Sequence, residues 1–547
     1  MCGIYACFHH GNSDNYYQYN INRPRGPDET KVLDRANYKF VFHRLAIVSV
    51  ENGHQPFTSD DVDLMCNGEI YNYRELEEEY GLPNDSGSDC EVILHLYRMF
   101  GIEQVLSLIK GEFAFILSDK KQNLVHFARD PIGIKPMYIC YKLVSSELVN
   151  NKIAILELSS TIRSMFLYYS NDVYHVKPGS LYTYDMRHKT ISSQVYKTFN
   201  YAPFYEEKSS YNMIYDELKK AVIKRIMQTE RPFGFFLSGG IDSCTVLSIA
   251  MESGKLKEKP KVFTFGFYDS APDVKMAKVM VGWLKQKYGE DCLEWHLVIE
   301  PIENGLQIIP EVILALETYD TTTIRASTPM YMLSKYISEK TNVKVLLSGE
   351  GSDELFGGYL YNMYAPNNFA FRAEIINSLN NLYYYDVLRA DRTTAACGLE
   401  VRPPFLDIDL ISVVLNSPEL KNGKKTKQLL RNILADNKIL PLPILEGRKE
   451  AFSDAVGLDW QEQVEKRATL IMETIDQNDY SPHIVPTSNT AKYFQYLFLE
   501  LVGRQWNILP KLWLPNQLWV NTGSEPSARA LSIYSNPELA NTIDNDD

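Results

Sequence analysis

The sequence predicts two domains of different class, an α+β domain of antiparallel sheets to about residue 200 and then an α/β domain built on a parallel sheet. Three observations carry this reading. Short strand-like runs separated by turn residues fill the first part, strands alternate with helices in the second, and a polar stretch at 200–210 divides them.

In the first part, strands are expected at 38–45, 63–66, 112–118 and 124–128, where aliphatic, aromatic and β-branched residues cluster. Asn67-Gly68 and Asp130-Pro131 are the expected turns between such runs. A helix is expected over 89–100, because Val92, Ile93, Leu96, Tyr97 and Phe100 recur at helical spacing. Residues 200–210, with Pro203 and a Glu-Glu-Lys-Ser-Ser run, read as the linker.

Beyond it, a short apolar run at 233–237 leads into Ser-Gly-Gly-Ile-Asp-Ser and a helix over 244–251 that Gly254 stops. Strands at 261–267, 295–299 and 342–347, with a helix at 275–287, continue the alternation and imply a parallel sheet covered on both faces. From about 370 the chain reads as mainly helical. The tail after Trp519 reads as polar and loosely ordered. The expected division is 1–200, 211–520 and a tail at 521–547.

Composition narrows the function classes. Hydrophobic residues at 45% and charged residues at 23% fit a soluble globular chain. A net charge of -13 argues against broad nucleic-acid or anionic-membrane binding, while leaving room for a local basic pocket. No apolar run approaches the ~18 residues of a membrane span, and the N-terminus does not read as a signal peptide, so the expected compartment is the cytoplasm. The eight cysteines are scattered without a C-x-x-C pair, and the ten histidines show no ligand spacing. Neither a structural metal nor a disulfide framework is expected.

Three features carry chemistry. Removal of Met1 would leave Cys2 first, so that one residue carries both a nucleophilic thiol and an α-amine. These titrate at about 8.5 and 7.7–8.0 in model compounds, and proton exchange between them is nearly balanced. The loop Ser238-Gly239-Gly240-Ile241-Asp242-Ser243 sits between a strand and a helix, offering backbone N–H groups, hydroxyls and a helix N-terminus to an anion. Asp242 suits a phosphate site only if Mg²⁺ stands between the like charges. The missing G-K-[ST] argues against a Walker-type loop. A second run, S-G-E-G-S-D-E-L-F-G-G-Y at 348–359, again follows a strand and places acids and glycines at a sheet's carboxyl edge.

The first loop resembles the pyrophosphate loop of N-type ATP pyrophosphatases. With Cys2 and the second run, the chain resembles the glutamine-dependent asparagine synthetases of the B type, from Cys2 to about Leu531. Further matches are R-P-R-G-P-D at 23–28, Arg44-Leu45, N-G-E-I-Y-N at 67–72, G-S-D-C-E at 87–91 and R-D-P-I-G-I-K-P-M-Y at 129–138. In the second part they are Y-D-T-T-T-I-R-A-S-T-P-M-Y at 319–331 and residues 400–407 and 449–454.

The resemblance implies a four-layer sandwich of the N-terminal-nucleophile hydrolase type, followed by an adenine nucleotide α-hydrolase-like parallel sheet with added helices. It implies that Cys2 attacks the glutamine side-chain amide, with Asn67 and the Gly68 N–H as oxyanion hole. Arg44 would bind the glutamine carboxylate, Glu69 and Asp89 its ammonium, with Ile47 and Val48 beside them. In the second site it implies ATP on Leu237, Ser238, Gly239, Gly240, Asp242, Ser243, Phe265, Ser348 and Gly349, and Mg²⁺ on Asp242 and Asp353. Glu350 would orient or deprotonate ammonia, Lys449 would neutralise departing pyrophosphate, and Arg325 and Asp386 would bind aspartate. Ammonia would pass through an enclosed path between the domains.

Departures from the family pattern replace none of these groups. Pro24 replaces His, Pro403 gives Arg402-Pro403-Pro404, Ser49 stands for Asp, and His43 precedes Arg44 in place of Glu. Proline removes an N–H and fixes φ, which puts the tightness of the ammonia path in question. The rival reading is a related amidotransferase with a different carboxylate acceptor, and a catalytically inactive relative is the rival of another class. The sequence leaves the oligomeric state open, a homodimer among the options.

Overall fold

The computed structural model describes residues 1–8, 18–144, 152–199, 210–420, 425–447, 455–457, 459–476 and 479–520. The linker at 200–209, Lys449 and the tail from 521 lie outside the described residues.

The first half stacks two six-stranded antiparallel sheets. One runs Val173–His175, Tyr138–Leu143, Ile153–Ser159, Gly3–Phe8, Tyr38–Arg44, Glu29–Asp34. The other runs Thr190–Val195, Ser180–Asp185, Leu124–Arg129, Gly111–Asp119, Val62–Ile70, Phe57–Thr58. Gly3–Phe8 is buried along its whole length and therefore lacks the apolar–polar alternation that marks a half-exposed strand. Ile4, Ala6 and Phe8 face the core between the sheets. Tyr5 and Cys7 face outward into a core shared with Tyr319, Tyr385 and Phe494 of the second half.

On the far side, Tyr73–Tyr80, Val92–Phe100 and Ile102–Leu108 cover the second sheet through the periodic residues Val92, Ile93, Leu96 and Tyr97. The layered sandwich thus has helices of its own on one side and the second half on the other.

Asn67-Gly68 is not a turn, contrary to its dipeptide signal. The strand expected at 63–66 continues to Ile70, and Asn67 and Gly68 pair with Ala114 and Phe113. Glycine is required there by close approach: at φ 150°, a Cβ on Gly68 would lie 1.9 Å from the Glu112 carbonyl oxygen. Tertiary pairing with Gly111–Asp119 overrides the local hairpin preference.

The second half is a five-stranded parallel sheet in the order Glu294–Ile299, Lys261–Gly266, Phe233–Phe236, Val345–Leu347, Glu400–Arg402. The last strand falls where helix was expected. It is three residues long, too short to show a period. Chain order runs outward in both directions from Phe233–Phe236, so the switch point lies between that strand and Val345–Leu347. Their C-terminal loops are the two glycine- and acid-rich runs, which face each other as ligand-binding loops do in open α/β sheets. The loops touch: a Cβ on Gly349 would sit 2.7 Å from Asp242 Cβ.

Helix Tyr211–Met227 opens the second half and packs against the first. Its buried Arg225 lies 2.9 Å from Glu112 of the second sheet and 2.8 Å from Asp407. A guanidinium with two carboxylates is the arrangement that lets such charges sit out of water.

Candidate active sites

The first site forms at the end of the Gly3–Phe8 strand. The Cys2 backbone N–H donates to Asn67 Oδ1 at 2.7 Å, and Cys2 Sγ lies 3.9 Å from the Leu45 carbonyl oxygen. That contact fixes which way the Asn67 amide points and leaves its Nδ2 buried without a partner among the described residues. A buried donor left unpaired is costly, and here it adjoins a thiol. Burial pushes the Cys2 thiol up, against the pull of the nearby N-terminal ammonium.

Cys2, Arg44, Ile47, Val48, Gly68, Glu69 and Asp89 line one small pocket of ≈ 30 Å³. Asp89 Oδ2 accepts from the Ile70 N–H at 2.6 Å, so Asp89 is held by the strand and is not a helix cap. Burial pushes the Glu69 carboxyl well above its usual range and that of Asp89 to about 6. Arg44 is folded onto its own loop, donating to the carbonyls of Ser49 at 2.5 Å and Val50 at 3.0 Å. Ser49 takes φ 49°, and its N–H and that of Val50 both donate to Glu230 of the second half at 3.0 Å.

The second site is a cavity of ≈ 440 Å³ at the switch point, within the usual range for small-molecule sites. The expected nucleotide residues, from Leu237 through Ser243 with Phe265, Ser348 and Gly349, all line it, as do Glu350, Asp353, Arg325 and Asp386. Helix Ile241–Glu252 begins at Gly240 with no side-chain cap, leaving its first N–H groups for a ligand.

Four cavity residues were not singled out from the sequence. Lys427 Nζ sits 2.5 Å from Asp242 Oδ1 and 2.8 Å from Asp353 Oδ1. Arg389 joins Glu350 at 2.7 Å to Asp386 at 2.6 Å. Tyr359 donates to Asp386 at 3.2 Å and also to Glu354, and Arg431 completes the basic wall. Thr426-Lys427-Gln428 reads as an ordinary polar helix start. Its signal is tertiary: the backbone at Lys427 is left-handed, at φ 55°, and turns the side chain into the cavity.

The segment between the sites is made by both halves. The Met1 ammonium lies 2.8 Å from Glu400 Oε2, and the Met1 side chain packs with Met330, Ala390, Ala395 and Val401, against Phe236. Phe236 and Met330 also line the larger cavity, while Met1 and Glu400 line the smaller. Burial alone would raise the Glu400 carboxyl, but the Met1 ammonium, Lys135 and Arg402 outweigh it and hold it far below its usual range. Arg25 ties the halves together, donating to both Asp391 oxygens at 2.7 and 3.1 Å and to the Cys2 carbonyl at 3.1 Å. Gly398, at φ 65°, packs against Pro24 and Pro27 on the same boundary.

A thiol beside an amide donor in the first half, and a phosphate-type loop pair in the second, define a glutamine amidotransferase joined to a synthetase. Comparison with known proteins agrees, half by half. Residues 1–199 match the glutamine amidotransferase domain, and residues 213–374 and 364–507 match asparagine synthase. The chain belongs to the family of glutamine-hydrolysing asparagine synthetases, which are ligases.

A probable asparagine synthetase of Acanthamoeba polyphaga mimivirus is 34% identical, covering 97% of this chain and 100% of that protein. A probable asparagine synthetase of Schizosaccharomyces pombe is 35% identical over 97% and 98%. The Gallus gallus asparagine synthetase is 35% identical over 98% and 99%. A solved structure described as the allosteric regulatory enzyme of purine biosynthesis matches at TM-score 0.30 and 13% identity, over 55% of this chain and 80% of that one.

Proposed function

We propose that this enzyme makes asparagine from aspartate, ATP and glutamine in the cytosol, with residues 1–200 hydrolysing glutamine and 211–520 performing the ligation. The observation that carries the reading is that the apolar strip around Met1 touches the walls of both pockets. It is the place for ammonia to cross without meeting bulk water, where protonation would remove its lone pair.

In the first site, the Cys2 thiolate attacks the glutamine amide carbon and ammonia leaves, giving a thioester that water then cleaves to glutamate. Asn67 Nδ2 and the Gly68 N–H stabilise the oxyanion, and each such donor is typically worth ~10²–10³ in rate. Glu69 and Asp89 receive the glutamine ammonium, and Arg44 swings from its loop carbonyls to the carboxylate.

In the second site, the aspartate β-carboxylate attacks the α-phosphorus of ATP, releasing pyrophosphate and leaving an acyl-adenylate. Ammonia then attacks the acyl carbon and AMP departs. The N–H groups of 238–243 hold the phosphates, and Arg325 and Asp386 hold aspartate. Glu350, kept in place by Arg389, takes a proton from the attacking nitrogen. Asp242 and Asp353 converge on one cationic point, Lys427 Nζ, and so suit Mg²⁺, which bound there would neutralise phosphate charge. Lys449 keeps its sequence-based role toward pyrophosphate.

The test is a product assay with several acceptor acids. Asparagine, AMP and pyrophosphate should appear in equal amounts with aspartate alone as acceptor, and Cys2→Ala should abolish synthesis from glutamine while sparing synthesis from ammonia. Preference for another acid would favour the related-amidotransferase reading. Loss of both activities in a folded Cys2→Ala protein would refute separate sites.

A further inference from the structure

Gln228 ends the helix Tyr211–Met227, belongs to the second half, and places its side-chain amide against Glu69 and Asp89, two acids that line the first half's glutamine pocket. Its Nε2 lies 3.3 Å from Glu69 Oε2, 3.3 Å from Asp89 Oδ2 and 3.2 Å from the Ile70 carbonyl oxygen. Three acceptors converging on one nitrogen is the arrangement an ammonium with three N–H bonds fills. An amide has only two, and the three contacts are correspondingly long. The pocket beside it is small, at ≈ 30 Å³, so moving the amide away would add room for a substrate.

We propose that Gln228 is a built-in competitor: its amide stands in for the α-ammonium of glutamine on Glu69 and Asp89, and glutamine binds by displacing it. The proposal rests on the reading of those two acids as the ammonium site. It adds that a residue of the synthetase half sets the affinity of the glutaminase half. The substrate's charged nitrogen makes stronger bonds to the two carboxylates than a neutral amide does, so the exchange favours glutamine.

The displaced group is tethered to a point of contact between the halves. The Gln228 carbonyl accepts from Arg402 Nη1 at 2.7 Å, and the Arg402 carbonyl accepts from the N–H of Ser348, which opens the second nucleotide loop, at 3.1 Å. Two residues on, Glu230 holds the N–H groups of Ser49 and Val50, the loop onto which Arg44 is folded. The same short segment therefore touches the groups at both the ammonium end and the carboxylate end of the glutamine pocket.

The experiment compares Gln228→Ala, Gln228→Lys and Asp89→Asn in the full chain, measuring KM and kcat for glutamine hydrolysis, with a thermal melt to check folding. Removing the competitor should lower KM about five-fold in Gln228→Ala, the effect of one net hydrogen bond. Placing a tethered ammonium there should raise KM in Gln228→Lys. In both, the change should fall on KM more than on kcat, because saturating glutamine outcompetes the side chain. A merely structural role would move both variants in the same direction. If Gln228→Ala leaves KM unchanged or raises it, or Gln228→Lys fails to raise it, while Asp89→Asn weakens glutamine binding, the competitor idea falls and the ammonium site stands. If Asp89→Asn leaves KM unchanged, both fall.

Discussion

Arg402 of the second half lies 3.0 Å from Glu69 of the first, both side chains buried. The guanidinium also meets Glu400 at 2.7 Å and the carbonyls of Arg225 and Gln228 at 2.8 and 2.7 Å. Burial would lower its pKa, but Glu69 and Glu400 outweigh that and raise it. Arg402 thus holds an acid of the glutamine pocket while its own backbone supports the nucleotide loop.

Truncating Arg402 to Leu would leave Glu69 and Glu400 without their shared cation. Breaking a buried pair from one side costs about 3–5 kcal/mol. Arg402→Leu should lower the urea midpoint accordingly. Arg402→Lys keeps charge but loses the planar fork and should fall between the two. A wild-type midpoint in the Leu variant would show that the interface does not depend on this ion pair.

Lys427 makes a second prediction. Its ammonium is shared by Asp242 and Asp353, and a Cβ on Gly358 would lie 1.9 Å from Asp353 Oδ1 and 2.2 Å from Lys427 Cε, so the pair is tightly enclosed. Lys427→Met removes the cation that these two carboxylates share. It should then bind Mg²⁺ in the absence of nucleotide more tightly than the wild type, as read by calorimetry. It should also release pyrophosphate about 10²-fold more slowly, the scale of losing one charge-stabilising donor. Equal Mg²⁺ affinity in both proteins would show that Lys427 does not compete for the metal position.

The difference between Asp242 and Lys427 shows what the sequence made legible. Asp242 lies in a strand–loop–helix run whose glycines and serines announce an anion site. Lys427 reaches the same point from 185 residues away in the chain and carries no local sign. Eight of the seventeen strands among the described residues were visible as periodic or continuous apolar runs. Gly3–Phe8 and Glu400–Arg402 were not, one being buried on both faces and the other three residues long. Asn67-Gly68 misled for a related reason, because its hairpin preference is local and its pairing with Gly111–Asp119 is not. Gln228, Arg389 and Arg402 matter through contacts between elements, which no window of sequence contains.

The acid pair sets a pH dependence. Burial raises Glu69 well above its usual range and Asp89 to about 6. Only the charged forms attract the ammonium of glutamine, so kcat/KM for glutamine should fall as pH drops through about 6, as the pair takes up protons. Synthesis from ammonia, compared at constant free NH3, should lack that limb, and Asp89→Asn should reduce it. An acid limb shared equally by both reactions would place its origin in the second site.

Met1 supplies the last prediction. With Met1 present, the nitrogen of Cys2 is a peptide N–H donating to Asn67, and no α-amine is available beside the thiol. The ammonium belongs instead to Met1 and pairs with Glu400, and the Met1 side chain fills the apolar strip between the two pockets. Protein prepared with methionine aminopeptidase inhibited, and verified by intact mass to retain Met1, should therefore fail to hydrolyse glutamine, because its thiol has neither base nor open exit for ammonia. Trimming Met1 in vitro should restore hydrolysis. Should Met1-bearing protein hydrolyse glutamine at the trimmed rate, Cys2 would be drawing on a base other than its own amine.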